Sequence, residues 1–284
     1  MTLMQRTLAR PAELHGAGFF FGRDVVCRLL PAAPDAGRTF VRTDLPGRPR
    51  IPATIAHRVS AHRRTALAAG GASVEMTEHV LAALVGLEID NCTIEVDGPE
   101  LPALDGSAAP VAAALAASGF VQQSEPRRLL SIYAPVAVTD GAAAISIHRS
   151  PGEFSIHYRL EVDHPGIGVQ EFRYLHSPRA FLAEIAPARS FIRAAEVEGL
   201  RALGIGARMT VRDLLVFGDD GAPVENALRY PDECVRHKIL DCLGDLALVG
   251  RPLYGAVRAL RTGHATNGRL AAAILAANSA SAAA

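Results

Sequence analysis

The stretch from Asp232 to Val249 constrains the chain most. Val235, Ile239, Cys242, Leu243 and Leu246 recur at helical spacing, so one side of a helix is made for burial. Asp232 and Glu233 suit the positive N-terminal end of that helix, and Gly250 followed by Pro252 stops it. Off the apolar stripe lie His237, Asp241 and Asp245, each four residues from the last. Residues four apart stand about one turn above each other, so an imidazole and a carboxylate point the same way. A helix offers two ligands to one metal ion in this manner, and the rest of the shell must come from elsewhere. The same spacing also makes an ordinary surface ion pair, so the helix alone does not decide between the two.

A chain of 284 residues can bury a large core, and the length suggests two domains. Lys plus Arg and Asp plus Glu cancel at 29 each, and there are no basic runs, so nothing marks a nucleic-acid partner. Hydrophobic content of 49% against 20% charged residues reads as globular. No apolar run reaches the ~18 residues a membrane helix needs, and the first ten residues lack the apolar core of a secretory signal. Cys27, Cys92, Cys234 and Cys242 form no Cys-x-x-Cys pair, so reduced thiols in a cytoplasmic protein are expected. Cys234, three residues before His237, is expected to pack rather than ligate.

Along the chain, residues 1–60 read as strands, among them 25–30 and 39–43, bounded by Pro, Gly and Asp. Phe19, Phe20 and Phe21 stand in a glycine-rich turn, either as a core plug or as the aromatic wall of a ligand site. A helix is expected over 75–86 with Glu78 and His79 in its first turn, then a strand over 91–97, a turn-rich loop over 98–110 and a helix over 110–118. The polar segment 122–128 contains a proline and is expected to be a linker, dividing the chain into domains 1–123 and 124–284. The rhythm then repeats. Strands over 129–138, 143–148 and 154–162 precede helical stretches over 177–186 and 194–203 and a β-like run over 213–217. The central helix follows, then a strand over 254–260, a closing helix over 267–277 and a low-complexity tail from Asn278 expected to fray. Strands followed by helices in each half predict an α+β fold of two similar domains.

Glu78 and His79 join His237, Asp241 and His264 in one possible chemistry. Two histidines and a carboxylate around zinc leave a fourth position open to water, as in a hydrolytic site. Zinc lowers the pKa of its water to about 7. Glu78, adjacent to a ligand, is placed to take that water's proton, and His264, on an exposed glycine-containing loop, to protonate a leaving group. Asp245 is placed to keep that imidazole charged.

At these residues the chain resembles the zinc-dependent UDP-3-O-acyl-N-acetylglucosamine deacetylases of lipid A biosynthesis, over almost its whole length. The resemblance is carried in order by Thr77-Glu78-His79, by 86–91, by 99–107 and by Ala188-Arg189-Ser190-Phe191. It continues through 235–241 with Gly244-Asp245 and ends in Thr262-Gly263-His264. It implies that His79, His237 and Asp241 bind zinc (iron(II) would also accept such ligands), that Glu78 is the general base and that His264, supported by Asp245, is the general acid or an electrostatic partner. Ser190 stands where the family has a threonine that steadies the substrate carbonyl, and keeps its hydroxyl. Lys238 is expected near the sugar or phosphate of an acylated UDP-glucosamine, with Arg261 as a second phosphate candidate. Phe19, Phe20, Phe191 and Met209 are candidates for the acyl groove. The family fold implied has helices sandwiched between two sheets, the site at the domain junction and an insert, here about 192–228, shaping an apolar passage. A monomer without nucleic acid or membrane span is expected.

Two departures bear on the substrate. Phe20 stands where the family usually has a histidine, and Gly206-Ala207-Arg208-Met209-Thr210 replaces a Gly-Gly-Ser-like turn. They favour, as an alternative, a divergent amidohydrolase acting on another N-acyl sugar nucleotide. A non-catalytic binding protein on the same scaffold is the further alternative, and it sits poorly with a complete set of ligands and acid–base groups.

Overall fold

The computed structural model describes residues 3–282. Two five-stranded sheets with the same strand order form its outer layers. In the N-terminal half the order is Ala12–Ala17, Asp24–Pro31, Cys92–Val96, Arg38–Arg42, Arg50–Pro52. In the C-terminal half it is Val136–Asp140, Ala143–His148, Leu253–Leu260, Phe154–Glu161, Val169–Leu175, with Leu130–Ser131 added beside Leu253–Leu260. In both, the last strand in sequence enters the middle, antiparallel to one neighbour and parallel to the other. The repeated plan of strands and then helices is therefore a repeat of topology.

Between the sheets lie the helices. Helix α1 (Glu78–Gly86) packs on α2 (Ala109–Ser118), which lies against the strand Ala12–Ala17. A short helix, α3 (Pro178–Ala180), is capped by the Ser177 hydroxyl and widens into a π-helical turn, Phe181–Ile185. Helix α4 (Ala194–Ala202) lies between two short strands, Phe191–Arg193 and Leu215–Phe217, that pair with each other. The central helix α5 (Glu233–Leu246) packs on α1, on α6 (His264–Ala282) and on the second sheet. Covered from three sides, α5 is buried almost all round, and His237, Asp241 and Asp245 are buried with its apolar stripe. Its N-terminal Glu233 is fully buried and receives the Arg189 guanidinium, which fixes the Ala188–Phe191 segment to the helix.

Two glycines set how closely the helices meet. A Cβ on Gly244 of α5 would stand 2.1 Å from the backbone oxygen of Glu78, and one on Gly86 of α1 would stand 2.3 Å from the Phe181 ring. The α1–α5 contact is thus backbone against backbone, at the height where the site forms.

Several elements differ from the sequence reading. Helix α1 begins at Glu78, because Glu75 ends the strand Ala72–Glu75 and Met76 turns the chain with φ 60°. The segment read as a linker lies largely within a strand, Phe120–Pro126, which pairs with Met4–Leu8. The closing helix begins at His264, not at 267, and continues to Ala282, and the last two residues of the tail expected to fray lie outside the described residues. All four cysteines are buried and unbonded, as expected.

Candidate active site

His79, one residue into α1, and His237 and Asp241, one turn apart on α5, meet where the two helices touch. One ligand atom from each lies within 4.8 Å of the others. His237 Nε2 is 3.3 Å and His79 Nε2 3.7 Å from Asp241 Oδ1, and the two rings stand edge to face at 88°. The Ala188 carbonyl accepts from His237 Nδ1 at 3.1 Å, which leaves the lone pair on Nε2, facing the cluster. Burial pulls His237 down to about 4, so that imidazole is neutral at pH 7. Burial works against a charged Asp241, but the Lys238 ammonium, at 2.6 Å, and the rings of His237 and His264 outweigh it and hold the carboxyl well below its usual range. Two imidazoles and one carboxylate, converging on one point, are the donor set of an open divalent metal site.

Glu78 stands beside this cluster. Burial raises its carboxyl above the ordinary value, and the backbone N–H of Thr65 donates to its Oε2 at 3.1 Å. Across from it, His264 Nε2 is 3.9 Å from Glu78 Oε1 and 4.0 Å from Asp241 Oδ2. His264 Nδ1 donates to Asp245 Oδ2 at 3.0 Å. Burial opposes charge on this ring, yet Asp245 and Asp241 prevail and lift it to about 9. The expectation of an exposed His264 is corrected here: it opens α6 and its side chain is only 10% exposed. The loop before it is pinned by Tyr158, whose hydroxyl donates to the Thr262 carbonyl at 2.6 Å. The Ser190 hydroxyl lies 3.1 Å from His237 Nε2, within reach of anything held at the cluster.

These groups open into a cavity of about 770 Å³. Phe19, Phe20, Phe191, Met209, Ser190 and Lys238 all line it. Arg261 does not. Its side chain turns outward to Glu161 at 2.9 Å, on a residue with φ 54°. The basic wall is instead Arg63, Arg64 and Arg193, which sequence spacing gave no reason to single out. Leu160 near the end of the strand Phe154–Glu161, Val162 and Ile167 of the turn that follows, and Leu200, Leu203 and Ile205 add apolar lining to the cavity.

A family model described as LpxC, UDP-3-O-acyl N-acetylglycosamine deacetylase, matches residues 5–276. The chain belongs to this family. Three proteins named UDP-3-O-acyl-N-acetylglucosamine deacetylase are similar over most of its length. The one from Anaeromyxobacter sp. (strain Fw109-5) is 40% identical over 96% of this chain and 88% of its own. That from Myxococcus xanthus is 41% identical over 94% and 84%, and that from Thermosynechococcus vestitus 42% over 95% and 93%.

The two stretches expected to depart from the family pattern, the phenylalanine turn and residues 206–210, are linked to each other, with Phe19, Phe20 and Met209 lining the cavity. The Phe20 ring carries the Arg64 guanidinium at 3.7 Å, and Arg64 is in turn paired with Glu75. The turn bearing Phe19 and Phe20 is fastened by Glu100, which accepts from the N–H groups of Phe20 and Phe21 at 2.8 and 2.6 Å. Gly18 is required there, since a Cβ would lie 2.0 Å from Glu100 Oε1. Gly206 N donates to the Phe19 carbonyl at 2.8 Å, and Arg208 pairs with Asp24 at 2.6 Å. The altered insert turn is thereby tied to the phenylalanine turn, with Met209 on the cavity side.

Proposed function

We propose that the protein is a zinc-dependent deacetylase that hydrolyses the N-acetyl group of UDP-3-O-(3-hydroxyacyl)-N-acetylglucosamine in lipid A biosynthesis. The observation that carries this reading is the meeting of the His79–His237–Asp241 cluster with Glu78 and His264 at one end of a largely apolar cavity. The donor set suits zinc, and iron(II) would also be accepted. When bound, the metal supplies Lewis acidity, making water more acidic and polarising the acetamide carbonyl.

The chain's own groups carry the protons. Glu78 takes a proton from the attacking water as the new C–O bond forms at the acetyl carbon. The Ser190 hydroxyl, supported by the charge of Lys238, donates to the carbonyl oxygen as it becomes an oxyanion. His264, kept charged by Asp245, gives its proton to the amine nitrogen as the C–N bond breaks, releasing acetate and the free amine. The acyl chain is assigned to the groove of Phe19, Phe20, Phe191 and Met209, and the diphosphate to Lys238 with the basic wall of Arg63, Arg64 and Arg193. We assign no phosphate to Arg261. The chain is taken as a cytoplasmic monomer of two units, 1–123 and 124–284, and no helix among the described residues is long and apolar enough to cross a membrane.

The test is acetate release from the acylated UDP-sugar by the zinc-loaded protein, beside Glu78→Ala and His264→Ala. Release by the wild type and a fall of about a hundredfold or more in each variant support both reaction and roles. Absence of release from a protein that holds its metal contradicts the assigned substrate.

A further inference from the structure

Thr65, fully buried just ahead of the strand Ala66–Ala69, touches both members of the acid–base pair's support. Its backbone N–H donates to Glu78 Oε2 at 3.1 Å, and its hydroxyl donates to Asp245 Oδ1 at 2.5 Å. Its own carbonyl is held by the N–H and the hydroxyl of Thr77, both at 3.3 Å, immediately before the catalytic helix α1. One residue of the N-terminal half therefore holds a carboxylate from each half of the chain. Asp245 is otherwise held by Asn267 Nδ2, which donates to Oδ2 at 2.8 Å, and by His264 Nδ1, which is 3.0 Å from Oδ2 and 3.2 Å from Oδ1.

A carboxylate anchored on both oxygens by groups other than the imidazole keeps one orientation, whereas one anchored on Oδ2 alone can turn about its last side-chain bond and carry the imidazole with it. The His264 ring hangs on that carboxylate, so its Nε2 moves with it. The distance at stake is the 3.9 Å from His264 Nε2 to Glu78 Oε1, the gap across which water and the leaving amine must both be served. A hydroxyl bonded to a buried carboxylate is among the stronger hydrogen bonds, and losing it leaves Oδ1 without that donor.

We propose that Thr65 is a positioning residue for the reaction, which sets His264, through Asp245, against Glu78. The proposal rests on the reading of Glu78 and His264 as base and acid. Nothing in the spacing of the sequence marks Thr65, because its partners lie 13 and 180 positions away.

Thr65→Val removes the hydroxyl, keeps the shape and spares the backbone N–H to Glu78. The expected result is a fall in kcat of about 10- to 100-fold with KM within about twofold, and recovery of most of it in Thr65→Ser. Because the hydroxyl acts through His264, Thr65→Val is expected to cost nothing further in a His264→Ala background. An equal loss in both backgrounds overturns the proposal, as does failure of Thr65→Ser to recover activity. If Thr65→Val does not fold, Thr65→Ala carries the same cycle. A readout free of substrate is the imidazole N–H signal of His264 in the zinc-loaded protein by nitrogen-15 NMR. It is expected to be resolved in the wild type and Thr65→Ser and to be lost to exchange in Thr65→Val at unchanged zinc content, and an unchanged signal overturns the proposal. If the wild type releases no acetate, the assigned substrate fails while this signal still decides the role of Thr65.

Discussion

At the scale of single residues, the site works by opposing charge states held a few ångströms apart. His237 is drawn down to about 4 and so stays neutral, as a metal ligand must, while His264 is lifted to about 9 by Asp245 and Asp241. A group with a raised pKa keeps its proton below that value and loses it as pH rises through it. The acid role proposed for His264 is therefore expected to be present at pH 7 and lost on the alkaline side. A dication on the neighbouring cluster repels the imidazolium, so the alkaline limb of kcat/KM is expected between the ordinary 6.5 and about 9. A pH profile in which His264→Gln retains that limb would contradict the assignment. At this scale the candidate ligands could be named from the sequence: His237 and Asp241 share one helix face, and the family resemblance added His79 and favoured a metal over a surface ion pair. Thr65, Asn267 and the arginines Arg63, Arg64 and Arg193 were not, because each acts on a partner brought to it only by the fold. Arg261 was misplaced for a related reason: neighbourhood in sequence to His264 says nothing of which side of a strand end a side chain leaves from.

At the scale of elements, the decisive contact is α1 on α5. Gly244 allows it, since its missing Cβ would lie 2.1 Å from the Glu78 carbonyl oxygen, an atom of backbone that cannot step aside. Gly244→Ala is expected to cost about 1–3 kcal/mol of stability and to reduce metal affinity by moving His79 away from His237 and Asp241; thermal unfolding and metal content measure both. Gly199, in the interior of α4, meets nothing where its Cβ would be. Gly199→Ala is therefore expected to stabilise the chain by about 0.5–1 kcal/mol, and a loss there would mean that α4 is not a plain helix. Elements with a strong period, α5 above all, could be read directly. The strand Phe120–Pro126 could not, because its middle, residues 122–125, is polar and its existence depends on the partner Met4–Leu8, more than a hundred positions earlier. The start of α6 was set too late because Gly263 and Thr266 weaken the local helical pattern, while the Asp245 bond to His264 and burial of Asn267 fix the first turn from outside.

At the scale of the whole molecule, two sheets with the same order of their five main strands enclose the helices, which meet at the α1–α5 contact, and the candidate site draws on both halves: His79 and Glu78 from the first, His237, Asp241 and His264 from the second. A ligand that bridges both halves stabilises the folded state in proportion to its occupancy, by about 4 kcal/mol at a thousand times its Kd. Chelation is thus expected to lower Tm by several degrees, and added zinc to restore it. The claim on which the rest depends is that one divalent metal is shared across the α1–α5 contact. Metal content of the purified protein, measured beside His79→Ala and Asp241→Ala, tests it most directly. The account predicts one tightly held metal per chain and its loss in both variants. Full metal retention in His79→Ala would contradict it.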